Sequence, residues 1–243
     1  MRNIWVIARR EFKLFFISPV AYAVAFMIFL ILGIIFYANV AAALAQQSAP
    51  TVQIVIAPLV TLLLFTCPAL SMRALADEQR MGTMELLLTA PVRDWELVVG
   101  KWLGSFLFAL SLIAVTWVFP IILNILEQPG IDQGMLLTSY IGVLLLVAAF
   151  LAIGVAVSSF FSNQIAVFFI TLVIFLVLWM ISYPAQAMGS TGGDLLRALD
   201  MSEHFYNTFY TGILDLKDII YYLSVTLLGL VIGTMSVESK RWR

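Results

Sequence analysis

Few side chains in this sequence could carry out bond-making chemistry. Cys67 is the single cysteine and His204 the single histidine, so neither a cluster of thiolates nor a site of several histidines can hold a metal. The sequence contains no Gly-x4-Gly-Lys-Ser/Thr phosphate loop and lacks that means of binding ATP. No nucleophile stands beside a general base in a hydrolase-like pattern. We therefore predict that the chain is not an enzyme and carries no cofactor or metal.

The polar segment with the clearest pattern is the loop 73–101, and within it residues 76–91. Gly82 permits a sharp change of backbone direction, Thr83 can cap a following helix, and Pro91 would end that helix. The pattern predicts a short helix over about 84–90 that exposes successive leucines. An apolar knob flanked by charges is typical of an element that docks in a groove of a partner protein.

A second polar segment, residues 2–17, alternates apolar and basic residues. Its apolar residues recur at steps of three and four, and basic residues occupy the remaining positions, which favours an amphipathic helix at the inner membrane interface. Ser18 and Pro19 should end this helix. The alternative is a basic anchor that only fixes topology. The apolar residues of the pattern are Ile4, Trp5, Ala8, Phe12, Phe15 and Phe16.

The composition indicates that these polar segments connect membrane-spanning helices. Hydrophobic residues make up 63% of the 243-residue chain and charged residues 11%, whereas soluble domains average about 45–50% and about 25%. The chain is therefore predicted to be an all-α integral membrane protein. Because charges are costly in hydrocarbon and a span needs about 20 residues, the intervals without ionisable residues should hold six spans. These spans are predicted near 20–43, 52–73, 102–126, 135–158, 164–184 and 219–237.

Two patterns describe how the spans are arranged. Small residues at four-residue spacing, such as Gly100/Gly104 and Gly229/Gly233, predict close helix packing within one subunit or between subunits. The basic residues predict orientation, because cytoplasmic loops are enriched in Lys and Arg. If the chain lies in a bacterial inner membrane with both termini in the cytoplasm, only Arg197 and Lys217 are on the outer side. The cytoplasmic side then receives Arg2, Arg9, Arg10, Lys13, Arg73, Arg80, Arg93, Lys101, Lys240, Arg241 and Arg243.

The segment 185–218 faces the periplasm in this arrangement. Its acidic residues outnumber its basic ones, and its apolar residues recur at roughly helical steps, so short helices that re-enter the outer leaflet are expected. His204 stands among aromatic residues and is interpreted as interfacial packing. A cation held by His204 with Asp200 and Glu203 is the alternative.

The loop and its flanks resemble a known family. The pattern Glu78-x3-Gly82-Thr83-x-Glu85-x-Leu87-x3-Pro91 resembles the coupling-helix region of ABC-2-type transporter permeases. Arg10-Glu11 followed by Ser18-Pro19 resembles the amphipathic connecting helix of that family. Within it, the run from Ser202-Glu203-His204-Phe205 to Asp218 is most similar to the gliding-motility-associated permease branch.

The resemblance implies a permease subunit of an exporter, driven by a separate cytosolic ABC ATPase dimer that holds ATP and Mg. It implies six transmembrane helices, an interfacial connecting helix over 2–17, a cytoplasmic coupling loop over 76–91 and short outer-leaflet helices before the sixth span. A second permease copy or a homologous permease would complete the pathway. The residues predicted to contact the ATPase are Asp77, Glu78, Arg80, Gly82, Thr83, Glu85, Leu86, Leu87 and Pro91, braced by Arg9, Arg10 and Glu11.

Two other classes compete with this interpretation. A non-transporting anchor would couple ATP hydrolysis to periplasmic partner proteins, including a membrane-anchored protein with a periplasmic domain. A carrier or channel acting alone is disfavoured because the spans contain no ionisable residue for ion coupling and the docking loop would have no purpose. A net charge of −1 gives no nucleic-acid footprint.

Overall fold

The structure is a computed structural model that describes residues 2–83, 92–127, 130–185 and 190–241. The described residues are helical almost throughout and form no β-strand, which confirms the all-α class. The helices are α1 (Arg2–Ile17), α2 (Pro19–Ala45), α3 (Gln53–Ser71), α4 (Ala76–Arg80), α5 (Asp94–Thr116), α6 (Val118–Leu126), α7 (Gln133–Phe160), α8 (Gln164–Met180), α9 (Ser182–Ala185), α10 (Ser190–Arg197), α11 (Met201–Tyr206), a 3₁₀ turn (Phe209–Thr211) and α12 (Leu216–Arg241).

Among the described residues, five helical stretches are long and apolar enough to cross a membrane, and α8 is a shorter apolar helix. The chain is therefore a multi-pass membrane protein. The third span was predicted to begin near residue 102, but its helix begins at Asp94. Lys101 lies inside this helix because it has carboxylate partners there. The five long stretches are Ala21–Ala45, Gln53–Arg80, Asp94–Leu126, Gln133–Phe160 and Leu216–Arg241.

Helix α7 lies at the centre of the bundle and packs against α3, α5, α8 and α12. Its apolar residues surround the helix on all sides, as expected for a helix with protein neighbours on every face. Val143, Leu146 and Phe150 are completely buried. The indole N–H of Trp102 donates to the Ala148 carbonyl at 3.0 Å and joins α5 to this central helix.

Glycines allow two of the closest helix contacts. A Cβ atom added to Gly229 would lie 2.8 Å from the backbone of Ala152, where α12 crosses α7. A Cβ atom on Gly104 would lie 2.5 Å from Glu11 Cβ and 2.9 Å from the Ala8 carbonyl oxygen, where α1 crosses α5. Both contacts are internal, so these small residues serve packing within the subunit.

The third apolar stretch is interrupted at Trp117, between α5 and α6. Pro120 explains the break, because proline has no N–H to donate to the carbonyl of Thr116 and its ring crowds that carbonyl. The Thr116 hydroxyl instead donates to the Ile113 carbonyl at 2.6 Å and lies 3.1 Å from the Tyr140 hydroxyl.

The polar segments collect at the two ends of the bundle. One end, here named the basic end, is formed by α1, α4, the start of α5 and the last turns of α7 and α12, which are joined by hydrogen bonds and ion pairs. The opposite end carries α11 and the 3₁₀ turn, bonded to α3, α7 and α12. Polar segments that were predicted to lie on the same side of the membrane are therefore found at the same end of the bundle.

Candidate coupling site

The described part of the coupling loop begins with α4, a single short helix at the basic end. Glu78 is 7% exposed and points into the protein, whereas Arg80 is exposed. Gly82 has a φ of +69°, a left-handed conformation that glycine adopts without strain. The Thr83 N–H and the Thr83 hydroxyl both donate hydrogen bonds to the Glu78 carbonyl, at 3.0 and 3.4 Å. These contacts close the turn after α4.

Lys101 lies at the centre of the site. Its Nζ atom lies 2.9 Å from Glu11 Oε1 and 2.8 Å from Glu78 Oε1. The Lys101 side chain is 3% exposed, so these carboxylates replace water around the ammonium group. One cation therefore joins α1, α4 and α5. We call this arrangement the Lys101 cluster, which consists of Lys101, Glu11 and Glu78.

Helix α1 is fixed against α5 along its length. Ala8 is completely buried at the crossing made possible by Gly104. Near the start of α1, the Asn3 amide donates to Glu96 Oε2 at 3.1 Å, and the Arg93 backbone N–H donates to the same oxygen at 3.2 Å. Glu11 is therefore held in position by packing on one side of α1 and by Lys101 beyond it.

Helix α4 is also bonded to the end of the central helix. The Gln79 amide donates to the carbonyls of Ser158 and Ser159, at 3.3 and 2.9 Å. Lys240 and Ser236 of α12 donate to the Ser159 carbonyl as well, at 2.6 and 3.2 Å. The last carbonyls of a helix have no partner within it, so these donors satisfy groups that would otherwise need water.

Arg73 connects the coupling loop to the junction of α1 and α2. Its guanidinium donates to the Ser18 hydroxyl at 2.8 Å, and its Nε lies 3.5 Å from Asp77 Oδ2. A cavity of about 390 Å³ lies beside these groups, between α1 and α4. Polar side chains that line it include Arg10, Asp77 and Glu78.

The structure brings together some of the predicted contact residues. Glu11 and Glu78 meet at Lys101, whereas Arg9 and Arg10 are exposed and form no ion pair with the described part of the loop. Lys101 itself was not among the predicted site residues, because sequence reasoning used it only to mark the end of an uncharged interval. The predicted residues that lie outside the described part of the chain are Glu85, Leu86, Leu87 and Pro91.

At the opposite end, Asp200 organises the 185–218 segment. Its carboxylate accepts hydrogen bonds from the Ser182 N–H, the Ser202 N–H and the Ser202 hydroxyl, at 2.9, 2.7 and 2.6 Å. Burial favours a higher pKa for Asp200, but these hydrogen bonds outweigh it and hold the pKa below the usual range. Asp200 is thus a helix cap and anchor, and the described residues contain no group of three side chains suited to a metal ion.

His204 departs from the sequence interpretation. It does stack on an aromatic ring, Tyr221, with centroids 3.9 Å apart, as interfacial packing predicts. Its Nδ1, however, lies 2.5 Å from Asp218 Oδ1, at the start of α12. In the sequence, Asp218 belongs to the acidic excess of this segment and to the run that resembles the permease family, and its spacing from His204 does not indicate a contact.

The fold and these contacts define a polytopic membrane protein with buried polar contacts between helices at both ends of the bundle. Residues 5–234 match the model of the family described as ABC-2 family transporter protein. The chain belongs to this family and is a transmembrane subunit of an ABC transporter. A comparison with curated proteins gave no match.

Proposed function

We propose that the chain is the permease subunit of an ATP-driven exporter, and that a separate cytosolic ATPase dimer docks on the coupling loop. The observation that carries this proposal is the Lys101 cluster, which ties α4 to α1 and α5. An ATPase subunit that moved the loop would act on helices already bonded to it. The ATPase supplies ATP and Mg, and this chain supplies the docking loop and the pathway.

Motion of α4 would be transmitted to the other helices through the hydrogen bonds and the ion pair that α4 forms with them. Glu78 pulls on α5 and α1 through Lys101, and Gln79 pulls on the end of α7. Charge-assisted hydrogen bonds are stronger and more directional than apolar contacts, so they transmit a change in orientation. Apolar residues of the loop would supply the affinity for the ATPase, since leucines in a groove bury area without constraining direction.

Orientation is part of this proposal. The basic end carries most of the described Lys and Arg residues, which favours the cytoplasm of the inner membrane for this end and for both termini. With buried Cys67 replaced by serine, single cysteines at Gln46 and Leu199 should react with an impermeant thiol reagent from outside. Cysteines at Arg80 and Asn163 should be shielded in intact cells. Labelling of the Arg80 position from outside would reverse the arrangement.

The 185–218 segment favours a second candidate function. Its described residues fold against α7 and α12 and surround a charged cavity of about 290 Å³ at the opposite end of the bundle. Such a surface could transmit motion to a periplasmic protein without transport, as the similarity to the gliding-motility branch suggests. The export proposal adds a second permease copy or a homologous permease, between which the substrate would pass.

Co-purification followed by reconstitution tests the proposal. We expect the tagged chain to retain an ABC ATPase, and liposomes containing the complex to hydrolyse ATP. Stimulation of hydrolysis by an exported substrate favours export, and stimulation by a periplasmic partner protein favours the anchor function. Purification of the intact chain without any ATPase, from the cell that produces both, would contradict both functions.

A further inference from the structure

An apolar cavity of about 190 Å³ lies where α1 ends and α2 begins, beside α5. Small side chains leave this space open, because Ala21 and Ala25 of α2 and Ser111 of α5 line it. Aromatic rings form another part of its wall, where Phe15 stacks on Phe108 with ring centroids 4.7 Å apart. Three further lining residues are exposed on the surface of the bundle: Phe16, Tyr22 and Val115. The cavity is therefore accessible from the side of the bundle.

The lining of this cavity suits hydrocarbon better than water. A buried water molecule needs two to four polar partners, whereas apolar cavities of about 150 Å³ stay dry and accept small apolar molecules. The Ser111 hydroxyl already donates to the Phe108 carbonyl at 2.6 Å, so it offers no free donor to a water molecule. Since α2 and α5 belong to membrane-spanning stretches, the hydrocarbon available at this position is a lipid acyl chain.

A polar cavity adjoins the apolar one. Phe15 also lines the cavity of about 390 Å³ between α1 and α4, which we call the polar cavity. Two of its carboxylates belong to the Lys101 cluster, and the third, Asp77, lies against Arg73. Arg10 also lines this cavity, is exposed and forms no ion pair with a described residue. It is thus the cation of the polar cavity that can receive an external anion.

Arg10 also lines a groove on the outer face of α1, together with Arg9 and Lys13. No carboxylate is found among the described residues that line this groove. Trp5 and Leu14 line it as well and are exposed, at 58% and 44%. Cations interleaved with exposed apolar side chains on one helix face are typical of a surface that binds anionic lipid. Among the described residues, the groove and the polar cavity together carry five cations and three carboxylates.

We infer that the junction of α1, α2 and α5 binds an anionic phospholipid, whose phosphate lies against Arg10 and Lys13 and one of whose acyl chains occupies the apolar cavity. A guanidinium group suits this role because it offers a phosphate two parallel N–H donors. Arg10 and Phe15 are five residues apart, about 7.5 Å along the helix, so one lipid molecule can reach both. In the proposed orientation this site lies in the cytoplasmic leaflet, and only this placement rests on the proposed function.

The bound lipid would fill the gap that the turn at Ser18 leaves between α1 and α2. It would thereby hold α1 in place, and α1 carries Glu11 of the Lys101 cluster. Native mass spectrometry of the intact chain tests the site without an ATPase or a transported substrate. Dioleoyl-phosphatidylglycerol and dioleoyl-phosphatidylcholine have the same acyl chains and differ in net charge. The first lipid bound should have a lower dissociation constant for the phosphatidylglycerol, by about fivefold for each cation that faces the headgroup. Equal dissociation constants for the two lipids would overturn the inference.

Variants of the cations locate the headgroup. Arg10→Gln should weaken binding of the phosphatidylglycerol about fivefold and Arg10→Gln/Lys13→Gln about 25-fold, while binding of the phosphatidylcholine stays unchanged. Arg80→Gln is the matched control, because Arg80 is an exposed cation at the same end that lines neither the groove nor the polar cavity. An equal loss of affinity in Arg80→Gln and Arg10→Gln would show that the charge of the whole basic end attracts lipid and that no defined site exists.

Variants of the apolar cavity locate the acyl chain. Ala25→Phe and Ser111→Leu fill the cavity from different helices, so each should weaken binding of both lipids. The second of these variants keeps the test valid if the first fails to fold, which the melting midpoint reports. Ile34→Phe adds a ring to the same helix as Ala25 at a position that is 61% exposed, and it should bind both lipids as the wild type does. Wild-type lipid affinity in a folded cavity variant would overturn the inference.

The same measurements distinguish other occupants of this surface. If the groove contacts the ATPase instead, Arg10→Gln/Lys13→Gln should lose the ATPase in co-purification and keep wild-type lipid affinity. If a second copy of the chain covers the apolar cavity, Ala25→Phe should change the proportion of dimer in the spectra and leave lipid affinity unchanged. Either result would overturn the lipid site. A chain that binds the phosphatidylglycerol as expected but retains no ATPase would support the lipid site and contradict the proposed function.

Discussion

Replacement of Lys101 by methionine removes the charge at the centre of the Lys101 cluster and keeps an apolar side chain of similar length. Glu11 and Glu78 would then face each other without a cation. Each carboxylate has an oxygen within 2.9 Å of Nζ, so these oxygens lie less than about 6 Å apart. Lys101→Met should therefore destabilise the basic end, by an amount that the geometry allows us to estimate.

The loss of stability in Lys101→Met should be about 3 kcal/mol, from the repulsion of the two carboxylates and from the usual cost of breaking a buried ion pair. Two unit charges about 6 Å apart repel by about 3 kcal/mol at an effective dielectric constant of about 20. Removal of one partner from a buried ion pair typically costs about 3–5 kcal/mol. We take about 3 kcal/mol, because the Glu11 and Glu78 side chains are 14% and 10% exposed and water can relieve part of the repulsion. For a chain of this length the melting midpoint should fall by about 6–12 °C.

Thermal unfolding of the detergent-purified variants measures this cost. Lys101→Met/Glu78→Gln removes one of the two opposed carboxylates, so most of the lost stability should return. The double-mutant cycle should give a coupling energy of about 1–3 kcal/mol. ATP hydrolysis by the co-purified complex should nevertheless stay poorly coupled to transport, because α4 is no longer bonded to α5.

Arg80→Met provides the matched control, since Arg80 is an exposed cation on the same helix as Glu78. Its loss should leave the melting midpoint nearly unchanged. A melting midpoint of Lys101→Met equal to that of the wild type, or an equal loss of stability in Lys101→Met and Arg80→Met, would show that Lys101 does not stabilise the basic end in this way.

Three further predictions concern other parts of the chain. The double variant Leu86→Ala/Leu87→Ala should reach the membrane in normal amounts yet lose most ATPase association in co-purification. Each leucine buried in an interface contributes on the order of 2 kcal/mol. Co-purification at wild-type stoichiometry with undiminished activity would contradict this. Gly104→Ala should cost about 1–3 kcal/mol in thermal unfolding, because its Cβ would lie 2.5 Å from that of Glu11, whereas Gly33→Ala, with nothing within 4 Å, should be neutral. Asp200→Ala should lose about 1 kcal/mol of cap energy at neutral pH. Because the folded-state pKa of Asp200 is lowered, the deficit relative to the wild type should shrink as pH falls below about 4, and a constant deficit would contradict the role of the ionised cap.

The helices themselves could be predicted from the sequence, because one physical rule governs them. Charges are expensive in hydrocarbon, so the uncharged intervals located α2, α3, α7, α8 and α12 to within a few residues. The same rule failed at the start of α5. Lys101 has two carboxylate partners and therefore lies within the helix. The rule counts charged residues without regard to their partners.

The Lys101 cluster and the His204–Asp218 contact could not be predicted from the sequence. Lys101 lies 90 residues from Glu11, and the packing of α1 on α5 brings these two residues together. Glu78 reaches the same ammonium group from α4. His204 and Asp218 are closer in sequence, but the contact depends on the turn after α11. Composition indicates which side chains are costly to bury, and tertiary packing decides which of them meet.

Site-specific crosslinking can show whether an ATPase docks on the coupling loop. A photoreactive residue in place of Met81, which follows α4 and is 69% exposed, should crosslink to the ATPase in the purified complex. The same residue in place of Met235, which is 64% exposed on the apolar helix α12, should not. A crosslink to the ATPase from position 235 and none from position 81 would contradict the account.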